Sequence, residues 1–518
     1  MNSKTIVQAF GAVVLISLLR VWPLLSPHHS LIYHNFLPVQ SMIWGIVINL
    51  GIFTLVAALL FAYLQKSEVG LRTVIWALVG AVLAPAVASD IVAMRRTSVP
   101  QLYLHLLFYG ILLAGLALRW LRPIAYERVV RGSLLLLLWI GCGVAWIVPE
   151  LLYFGLRTQP RDANVPMTRA GLPIVRGAVP ISRGRIVWLL FDELSYNQAF
   201  EHRFPGLAMP VFDKLKSESV SFSDLKPVGY ETDRVVPSFF LGHVVGDIQS
   251  NLDGEPKIKL AGQENWQAFD ARATLFSDAQ SLGWTTGVVG WYNPYCRILA
   301  GTLNYCFWAG NGQWNGTTPD QTALANAMTP VTETVRGLLH KPGFAQEERH
   351  AADLAALMPQ ADALIRDQSI GLVFIHLPVP HPPGIYDRRP GHRRDTRTYI
   401  DNLALSDELL GELMSSLNAT PLAKKTTVII CSDHSWRIPL WRGAQWSAEE
   451  ETASRGIFDT RPVLMIHFPG QMAQHDVTAP FDEIKIHDIL EHILRGQPYD
   501  FGKSVPADGT ILPVTAKP

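Results

Sequence analysis

The stretches IVWLLFDE (186–193) and TTVIICSDH (426–434) decide the fold of this chain. Each is a short apolar run rich in β-branched residues, which is typical of a strand buried on both faces of a parallel sheet. Each run ends in acidic or imidazole side chains, namely Asp192, Glu193, Asp433 and His434. Ligands gather beyond the carboxyl ends of parallel strands, and carboxylate oxygens and imidazole nitrogens bind divalent cations. These four residues are therefore candidate metal ligands.

Three further apolar runs extend the pattern, and helical stretches alternate with them. The runs are TTGVVGW (285–291), GLVFIH (371–376) and PVLMIHF (462–468). The helical stretches are 210–218, 271–282, 350–367, 397–417 and 482–495. Strands that alternate with amphipathic helices predict an α/β domain, in which helices cover both faces of a mostly parallel sheet. We place this domain at residues 186–518.

The residues before 157 predict a membrane region. Five apolar stretches have about the length that a helix needs to cross a bilayer; they are 5–25, 39–64, 72–94, 102–119 and 133–155. The first lacks a small-residue cleavage pattern, so we expect it to be retained. Residues 1–157 are thus predicted to form an α-helical transmembrane domain, and residues 158–185, with four prolines, an extended linker.

Basic residues in the short loops predict the orientation of these spans, because cytoplasmic loops retain Lys and Arg. Seven basic residues would lie on one side, namely Lys4, Lys66, Arg72, Arg119, Arg122, Arg128 and Arg131. Arg95 and Arg96 would lie on the other side. The N-terminus is then cytoplasmic, and the α/β domain lies on the periplasmic side of a bacterial-type inner membrane.

Composition excludes some classes of protein and is compatible with that compartment. The 44 Lys and Arg balance the 44 Asp and Glu, so the net positive charge that draws proteins to nucleic acid is missing. Four cysteines are too few for a disulfide-dense scaffold. Cys296 and Cys306 lie ten residues apart and predict a loop-closing disulfide in an oxidising compartment.

Thr232 is a candidate nucleophile. It lies in GYETDRVVPSFFLGH (229–243), where a polar turn leads into an apolar helical run, five residues before Pro237. A threonine here can cap the helix. A metal beside its hydroxyl would instead lower the pKa of that oxygen and favour nucleophilic attack.

In their order, these motifs resemble the alkaline phosphatase and sulfatase superfamily. The motifs are LLFDELS, PVFDKLKSESVSFSD, TDRVVPSFFLG, IHLPVPHPP, IICSDHS and IHDILEHIL, and together they cover most of 186–500. Five spans before an external catalytic domain are similar in layout to the membrane phosphoethanolamine transferases and the lipoteichoic acid synthases. The spacing of Thr232 and Pro237 resembles the transferase segment in which a threonine attacks phosphorus.

The resemblance also assigns roles to individual residues. It implies that Asp192 or Glu193, with Asp433 and His434, would bind the metal, and that His381 would contact metal or phosphate. His376, at the end of a strand, and Arg437, as a source of positive charge, are candidate substrate-binding residues; the alternatives are a structural histidine and an arginine in a solvated loop. The tandem acids Asp192 and Glu193 are also similar to the paired acids of sulfatases.

Two departures from the superfamily pattern narrow the chemistry. Sulfatases place Cys or Ser two residues before the proline for conversion to formylglycine, and this chain has Val235 there. Transferases with two metals supply another histidine after the Asp-His pair, yet no histidine occurs from Ser435 to Ile466. A site with a single metal, or one that His376 or His381 completes, is the expectation.

The resulting prediction is a metal-dependent inner-membrane transferase. It would move a phosphoethanolamine or phosphoglycerol headgroup from a phospholipid to an envelope glycan or lipid through a covalent Thr232 intermediate. The cofactor would be a divalent ion, zinc or manganese in the first instance, with calcium or magnesium as alternatives. Two other interpretations stay open: a hydrolase (a phosphodiesterase or unconventional sulfatase) with water as acceptor, and a non-catalytic membrane protein that retains the fold.

Overall fold

The computed structural model describes residues 2–16, 39–93, 101–156, 184–250, 256–309, 342–389, 397–442 and 446–501. Residues 17–25 of the first predicted span therefore lie outside the described residues. So does the predicted linker, apart from Gly184 and from Arg185, which begins the first strand. The domain boundaries stay predictions.

The N-terminal region is helical, as its apolar stretches predict. Its helices are α1 (Ser3–Ile16), α2 (Val39–Lys66), α3 (Val69–Ala93), α4 (Gln101–Leu121), α5 (Pro123–Val144) and α6 (Ile147–Leu156). Among the described residues, four segments are long and apolar enough to cross a membrane: Ile43–Lys66, Val69–Ala88, Leu102–Leu121 and Pro123–Leu156. The described part of the first predicted span, α1, is a shorter apolar helix. Apolar side chains on these helices remain exposed, Leu55 and Leu113 among them, which suits a surface that faces lipid.

The fifth predicted span is longer than expected and is interrupted. Helix α5 begins at Pro123, because proline is favoured in the first turn, where its missing N–H costs nothing. The break between α5 and α6 falls at Ala145 and Trp146, four and three residues before Pro149. A proline ring clashes with the carbonyl four residues earlier, which accounts for the interruption.

Helices α1 and α5 cross in close contact at two glycines. A Cβ atom on Gly11 would lie 2.1 Å from the carbonyl oxygen of Leu137, and one on Gly141 would lie 2.3 Å from that of Val7. Small residues allow membrane helices to approach this closely. The crossing also contains a hydrogen bond of 3.1 Å from Gln8 Nε2 to the carbonyl of Leu134.

In the part that the structure describes, the second region is built on a sheet of eight strands. The strands of the domain are β1 (Arg185–Phe191), β2 (Val220–Phe222), β3 (Leu225–Lys226), β4 (Val245–Ser250), β5 (Pro256–Leu260), β6 (Gln267–Ala268), β7 (Thr286–Trp291), β8 (Tyr305–Ala309), β9 (Leu372–Leu377), β10 (Thr426–Cys431), β11 (Leu464–His467), β12 (His475–Val477) and β13 (Phe481–Asp482). The main sheet has the order β12-β2-β11-β10-β1-β9-β7-β8. Every pairing in it is parallel except the two made by β11. The predicted mostly parallel sheet is thus confirmed.

Helices cover both faces of this sheet. They are α7 (Pro210–Ser217), α8 (Thr232–Leu241), α9 (Leu275–Ser281), α10 (Tyr295–Ile298), α11 (Pro342–Arg366), α12 (Tyr399–Asn418), α13 (Ile438–Trp441), α14 (Ala448–Ser454) and α15 (Ile486–Leu494). Alternate residues of β1 enter two separate buried clusters, with Trp188 on one face and Leu189 on the other. Strand β1 is therefore buried on both faces.

Strand order determines where the site lies. Strand β1 pairs with β10 on one side and with β9 on the other, and both pairings are parallel. The carboxyl ends of these three strands thus lie side by side at one edge of the sheet. The residues that follow them include all four candidate metal ligands and His381.

Candidate metal and nucleophile site

Asp192, Asp433 and His434 form a compact buried group. Asp192 lies in the turn after β1, and the other two lie in the turn after β10. One ligand atom from each side chain lies within 4.8 Å of the others, and all three side chains are fully buried. Two carboxylates and one imidazole in this arrangement form a donor set suited to a divalent cation.

The hydrogen bonds around this group leave atoms for a metal. The Nδ1 atom of His434 donates to the carbonyl of Ser435 at 3.1 Å, which leaves the lone pair of Nε2 on the side of the two aspartates. Asp192 Oδ1 and Asp433 Oδ2 are buried and accept no hydrogen bond from the described residues. Buried carboxylate oxygens without a partner are costly, so a cation between them would satisfy both. The residues present therefore fit the metal that the motifs imply.

The two aspartates ionise differently. Burial and the nearby charge of Asp433 raise the pKa of Asp192 well above its usual value. Burial also disfavours ionisation of Asp433, but His434 and His376, together with hydrogen bonds from Thr232 and from the Glu193 N–H, lower the pKa of that carboxyl. Burial lowers the pKa of His434 to about 4, so this imidazole is neutral at neutral pH and free to bind a metal.

The hydroxyl of Thr232 points into this group. Thr232 is the first residue of α8 and Glu231 holds the cap position, so the threonine does not cap the helix. Its Oγ1 lies 3.3 Å from Asp192 Oδ2 and 3.4 Å from His434 Nε2. The backbone carbonyl of Thr232 accepts a hydrogen bond from Asn293 Nδ2 at 3.2 Å, which holds the start of the helix in place.

His376 connects Asp192 to a tyrosine. Its Nε2 lies 3.2 Å from Asp192 Oδ2, and its Nδ1 lies 2.6 Å from the hydroxyl oxygen of Tyr295. A carboxylate accepts the proton on Nε2, so Nδ1 accepts the hydrogen bond of the tyrosine. His376 therefore orients Asp192 at its carboxylate, and Tyr295 fixes the tautomer of His376.

Glu193, the second residue of the tandem acid pair, lies in a neighbouring group. Its backbone is left-handed with φ 63°, a conformation that is rare outside glycine. The buried carboxylate accepts hydrogen bonds from Arg437 Nε and, at 2.8 Å, from Trp441 Nε1. Its backbone N–H donates to Asp433 Oδ1 at 3.1 Å and ties the two groups together. The ligand role of Glu193 stays a prediction, because in this structure its carboxylate is paired with Arg437.

Arg437 also contacts His381 and the backbone beside the nucleophile. Its Nη2 lies 3.0 Å from His381 Nε2, and its Nη1 donates to the carbonyl of Tyr230 at 3.2 Å. Because arginine only donates, His381 Nε2 is the acceptor and the neutral ring carries its proton on Nδ1. Burial first, and then Arg437, hold the pKa of His381 well below its usual value. Asn402 of α12 positions this loop by donating to the carbonyl of His381 at 3.1 Å.

Cys296 and Cys306 are joined by a disulfide, the pairing that their spacing predicts. Cys296 lies in α10 beside Tyr295, and Cys306 lies in β8. The crosslink thus fixes the short helix that presents Tyr295 to His376.

The sequence patterns do not identify several residues of the site. Tyr295, Asn293 and Trp441 reach the site through side chains from loops and short helices, and Asn402 reaches it from the first turn of the long helix α12. The position of Tyr295 directly before Cys296 is the sequence feature from which its place in the site could have been predicted. The structure brings together Asp192, Asp433, His434, Thr232 and His376 in one group, and Glu193, His381 and Arg437 in the adjoining one.

Comparison with known proteins places the second region in a family. The sulfatase family model matches residues 185–494, which is more than half of the chain. This chain therefore belongs to the sulfatase family, within the alkaline phosphatase and sulfatase superfamily, and it is an enzyme of that type. The interpretation as a non-catalytic protein is set aside.

Solved structures with similar folds include sulfatases and hydrolases of phosphorus esters. A sulfatase from Pseudoalteromonas sp. is 13% identical, with 61% of this chain and 68% of that chain covered and a TM-score of 0.41. A phosphonate monoester hydrolase of Agrobacterium radiobacter is 12% identical, with 59% and 73% covered and a TM-score of 0.38. A protein of the alkaline phosphatase superfamily from Vibrio parahaemolyticus is 14% identical, with 64% and 72% covered and a TM-score of 0.38. No curated protein matches the sequence significantly.

Proposed function

We propose that this protein is a membrane-bound transferase that moves a phospho-headgroup from a phospholipid to an envelope glycan or lipid through a covalent Thr232 intermediate. One observation carries the proposal. A threonine hydroxyl, at the start of a helix and within 3.4 Å of Asp192 and His434, points into a buried group of metal-binding character. Val235 occupies the position that formylglycine formation needs, which favours the threonine as nucleophile.

Asp192, Asp433 and His434 would hold a divalent cation, zinc or manganese in the first instance and calcium or magnesium otherwise. When bound, such a cation lowers the pKa of an adjacent hydroxyl and stabilises negative charge on phosphoryl oxygens.

The side chains account for the proton in each step. Thr232 Oγ1 forms a bond to phosphorus as the bond from phosphorus to the diacylglycerol oxygen breaks. The hydroxyl proton passes to Asp192 Oδ2, at 3.3 Å, and the departing oxygen takes a proton from solvent. In the second step an acceptor hydroxyl displaces the threonine oxygen, which regains the proton from Asp192, and the acceptor's proton goes to solvent.

The adjoining group would position the transferred phosphoryl group. Arg437 is a fixed cation whose guanidinium geometry matches phosphoryl oxygens. Glu193, which also accepts from Trp441 Nε1, accepts from Arg437 on one side, and His381 accepts from it on the other. His381 and His376 thus act in binding and orientation in this proposal.

The apolar helices and the disulfide support the proposed donor and compartment. Apolar helices that can cross a membrane give the enzyme access to lipid donors in the same bilayer. The basic-residue asymmetry favours a periplasmic catalytic domain, and the Cys296–Cys306 disulfide is compatible with an oxidising compartment.

A hydrolase is the second candidate, since the chain belongs to the sulfatase family. In that case water would displace the threonine oxygen in the second step. The two candidates share the covalent intermediate and differ only in the acceptor.

Mass spectrometry of the Thr232 peptide tests the proposal on full-length protein from native membranes. We expect an adduct whose mass identifies phosphoethanolamine or phosphoglycerol, absent in Thr232→Ala and retained at a lower level in Thr232→Ser. Addition of an acceptor glycan should discharge the adduct into a glycan product. Discharge into free phospho-headgroup alone would establish the hydrolase, and an unmodified peptide with every donor and metal would refute the covalent mechanism.

A further inference from the structure

An exposed apolar patch lies beside the site, and we call Tyr230, Ile457 and Phe458 the apolar rim. Their exposed fractions are 41%, 62% and 37%. The rings of Tyr230 and Phe458 lie 5.8 Å apart, although they come from segments distant in sequence. Large side chains that stay exposed together in this way mark binding surfaces more often than isolated ones do.

Both sides of the apolar rim are connected to the catalytic residues. Tyr230 lies two residues before Thr232, and its carbonyl accepts from Arg437 at 3.2 Å. Phe458 lies next to Asp459, whose carbonyl accepts a hydrogen bond of 2.6 Å from the hydroxyl of Ser435, the residue after His434. The rim therefore borders the place where phosphorus must bind.

We infer that the apolar rim binds the glyceride part of the phospholipid donor, an inference that rests on the proposed function. In such a donor the diacylglycerol is esterified to the same phosphorus that Thr232 attacks. The glyceride must therefore begin within a few bonds of Thr232 Oγ1, and the length of its acyl chains must pass out over the edge of the site. An apolar edge removes these chains from water, which the polar residues of the site cannot do.

Charge at the rim suits the same ligand. Arg455, two residues before Ile457, is exposed and can approach an anionic bilayer surface. The acidic side chains of the same segment are paired or buried: Glu449 pairs with Arg388, Glu451 with Arg442 and Asp459 with Arg461, and Glu450 is buried. The segment thus presents apolar and basic groups to its surroundings.

The test compares donors of different chain length on the full-length protein in detergent micelles with a divalent cation. The rate of Thr232 adduct formation is measured by mass spectrometry with dioleoyl and with dihexanoyl forms of phosphatidylethanolamine and phosphatidylglycerol. The variants are Ile457→Ser with Phe458→Ser, and Met472→Ser as the control. Met472 is 78% exposed and follows β11, which ends at the opposite edge of the sheet.

We expect the wild-type protein and Met472→Ser to prefer the dioleoyl donor about 10-fold, in line with the transfer free energy of partly buried apolar side chains. The double variant should lose about 10-fold in rate with the dioleoyl donor and less than about two-fold with the dihexanoyl donor. An unchanged chain-length preference in the double variant, or an equal loss with both donors, would overturn the inference. So would normal adduct formation with slow discharge to a glycan, because the rim would then bind the acceptor. If the wild-type protein forms no adduct with any donor, the proposed function itself fails.

Discussion

Arg437 links the nucleophile segment, the tandem acids and the histidine loop. Its guanidinium contacts Glu193, His381 and the Tyr230 carbonyl through three different nitrogens. A lysine has one nitrogen and cannot make these contacts together. Without Arg437, the buried carboxylate of Glu193 would have only Trp441 as a side-chain partner.

We therefore expect Arg437→Met to lower stability by about 3–5 kcal/mol, the usual cost of leaving a buried charge unpaired, and to reduce Thr232 adduct formation at least about 10-fold. The matched variant combines Arg437→Met with Glu193→Gln, which removes both charges. It should recover most of the melting temperature and none of the rate. Recovery of the rate as well would mean that Arg437 serves only to stabilise the fold.

Glu483 is a buried acid outside the two groups of the site. Its Oε2 accepts from the backbone N–H of Val228 at 2.9 Å, and its Oε1 has no partner among the described residues. Burial raises its pKa well above the usual value, and the charge of Asp433 adds to this effect. In the unfolded chain the same carboxyl ionises near its ordinary pKa of about 4.3.

Glu483 should therefore make stability fall as pH rises. Between the unfolded and the folded pKa, unfolding releases a proton that the folded state retains, so the penalty grows by about 1.4 kcal/mol per pH unit. Glu483→Gln resembles the protonated acid and has no such dependence. We expect it to melt at the same temperature as wild type near pH 4.5 and at a higher temperature at pH 8. Parallel melting curves of the two proteins across this range would show that Glu483 titrates normally.

The sequence predicts some site residues well and others poorly, for a physical reason. Asp192, Asp433 and His434 directly follow buried strands, so the strand pattern alone places them at one edge of the sheet. Tyr295 and Trp441 act through the length of their side chains, from short helices that have no periodicity. The sequence also fails to separate Glu193 from Asp192. Asp192 lies in the metal group, whereas the carboxylate of Glu193 pairs with Arg437.

Among the elements, the crossing of α1 and α5 allows a matched test. A Cβ atom on Gly141 would lie 2.3 Å from the carbonyl of Val7, whereas one on Gly143 in the same helix would meet no atom within 4 Å. Gly141→Ala should force the helices apart and cost about 1–3 kcal/mol, seen as a lower melting temperature in detergent. Gly143→Ala should leave the melting temperature unchanged or slightly higher, because alanine favours the helix. Equal effects of the two changes would argue against a close crossing.

Most predicted elements agree with the structure to within a few residues, but α11 begins at Pro342, ahead of the predicted 350–367, and α5 begins at Pro123, ahead of the predicted 133–155. The direction of β11 cannot be predicted from the sequence. The stretch PVLMIHF (462–468) has the same apolar pattern as the other buried strands, yet β11 is antiparallel to both neighbours. Strand direction depends on the connecting segments, and an apolar run carries no information about them. In contrast, the positions of Pro123 and Pro149 in the sequence explain why α5 starts early and why it ends before Pro149.

For the whole molecule, the number of metal ions is the property to measure. Among the described residues, one group of three ligands fits a cation, and the adjoining acid and histidine contact Arg437. Elemental analysis of the purified protein should thus find about one divalent ion per chain, and almost none in Asp433→Asn. Glu193→Gln should retain the ion, because the Glu193 carboxylate is paired with Arg437. Loss of the metal ion in this variant would establish Glu193 as a ligand. Two ions per chain in the wild-type protein would contradict the single-metal site.

The disulfide beside Tyr295 has a consequence for biosynthesis. If the catalytic domain is periplasmic, as proposed, a newly made chain still faces a reducing cytosol and lacks the Cys296–Cys306 bond, so α10 has no covalent tether to β8. Tyr295, His376 and Asp192 would be less firmly aligned in that immature form. Under the proposed function, maturation would thus coincide with export, and the lipids of the inner leaflet would keep their headgroups while the enzyme is still being assembled.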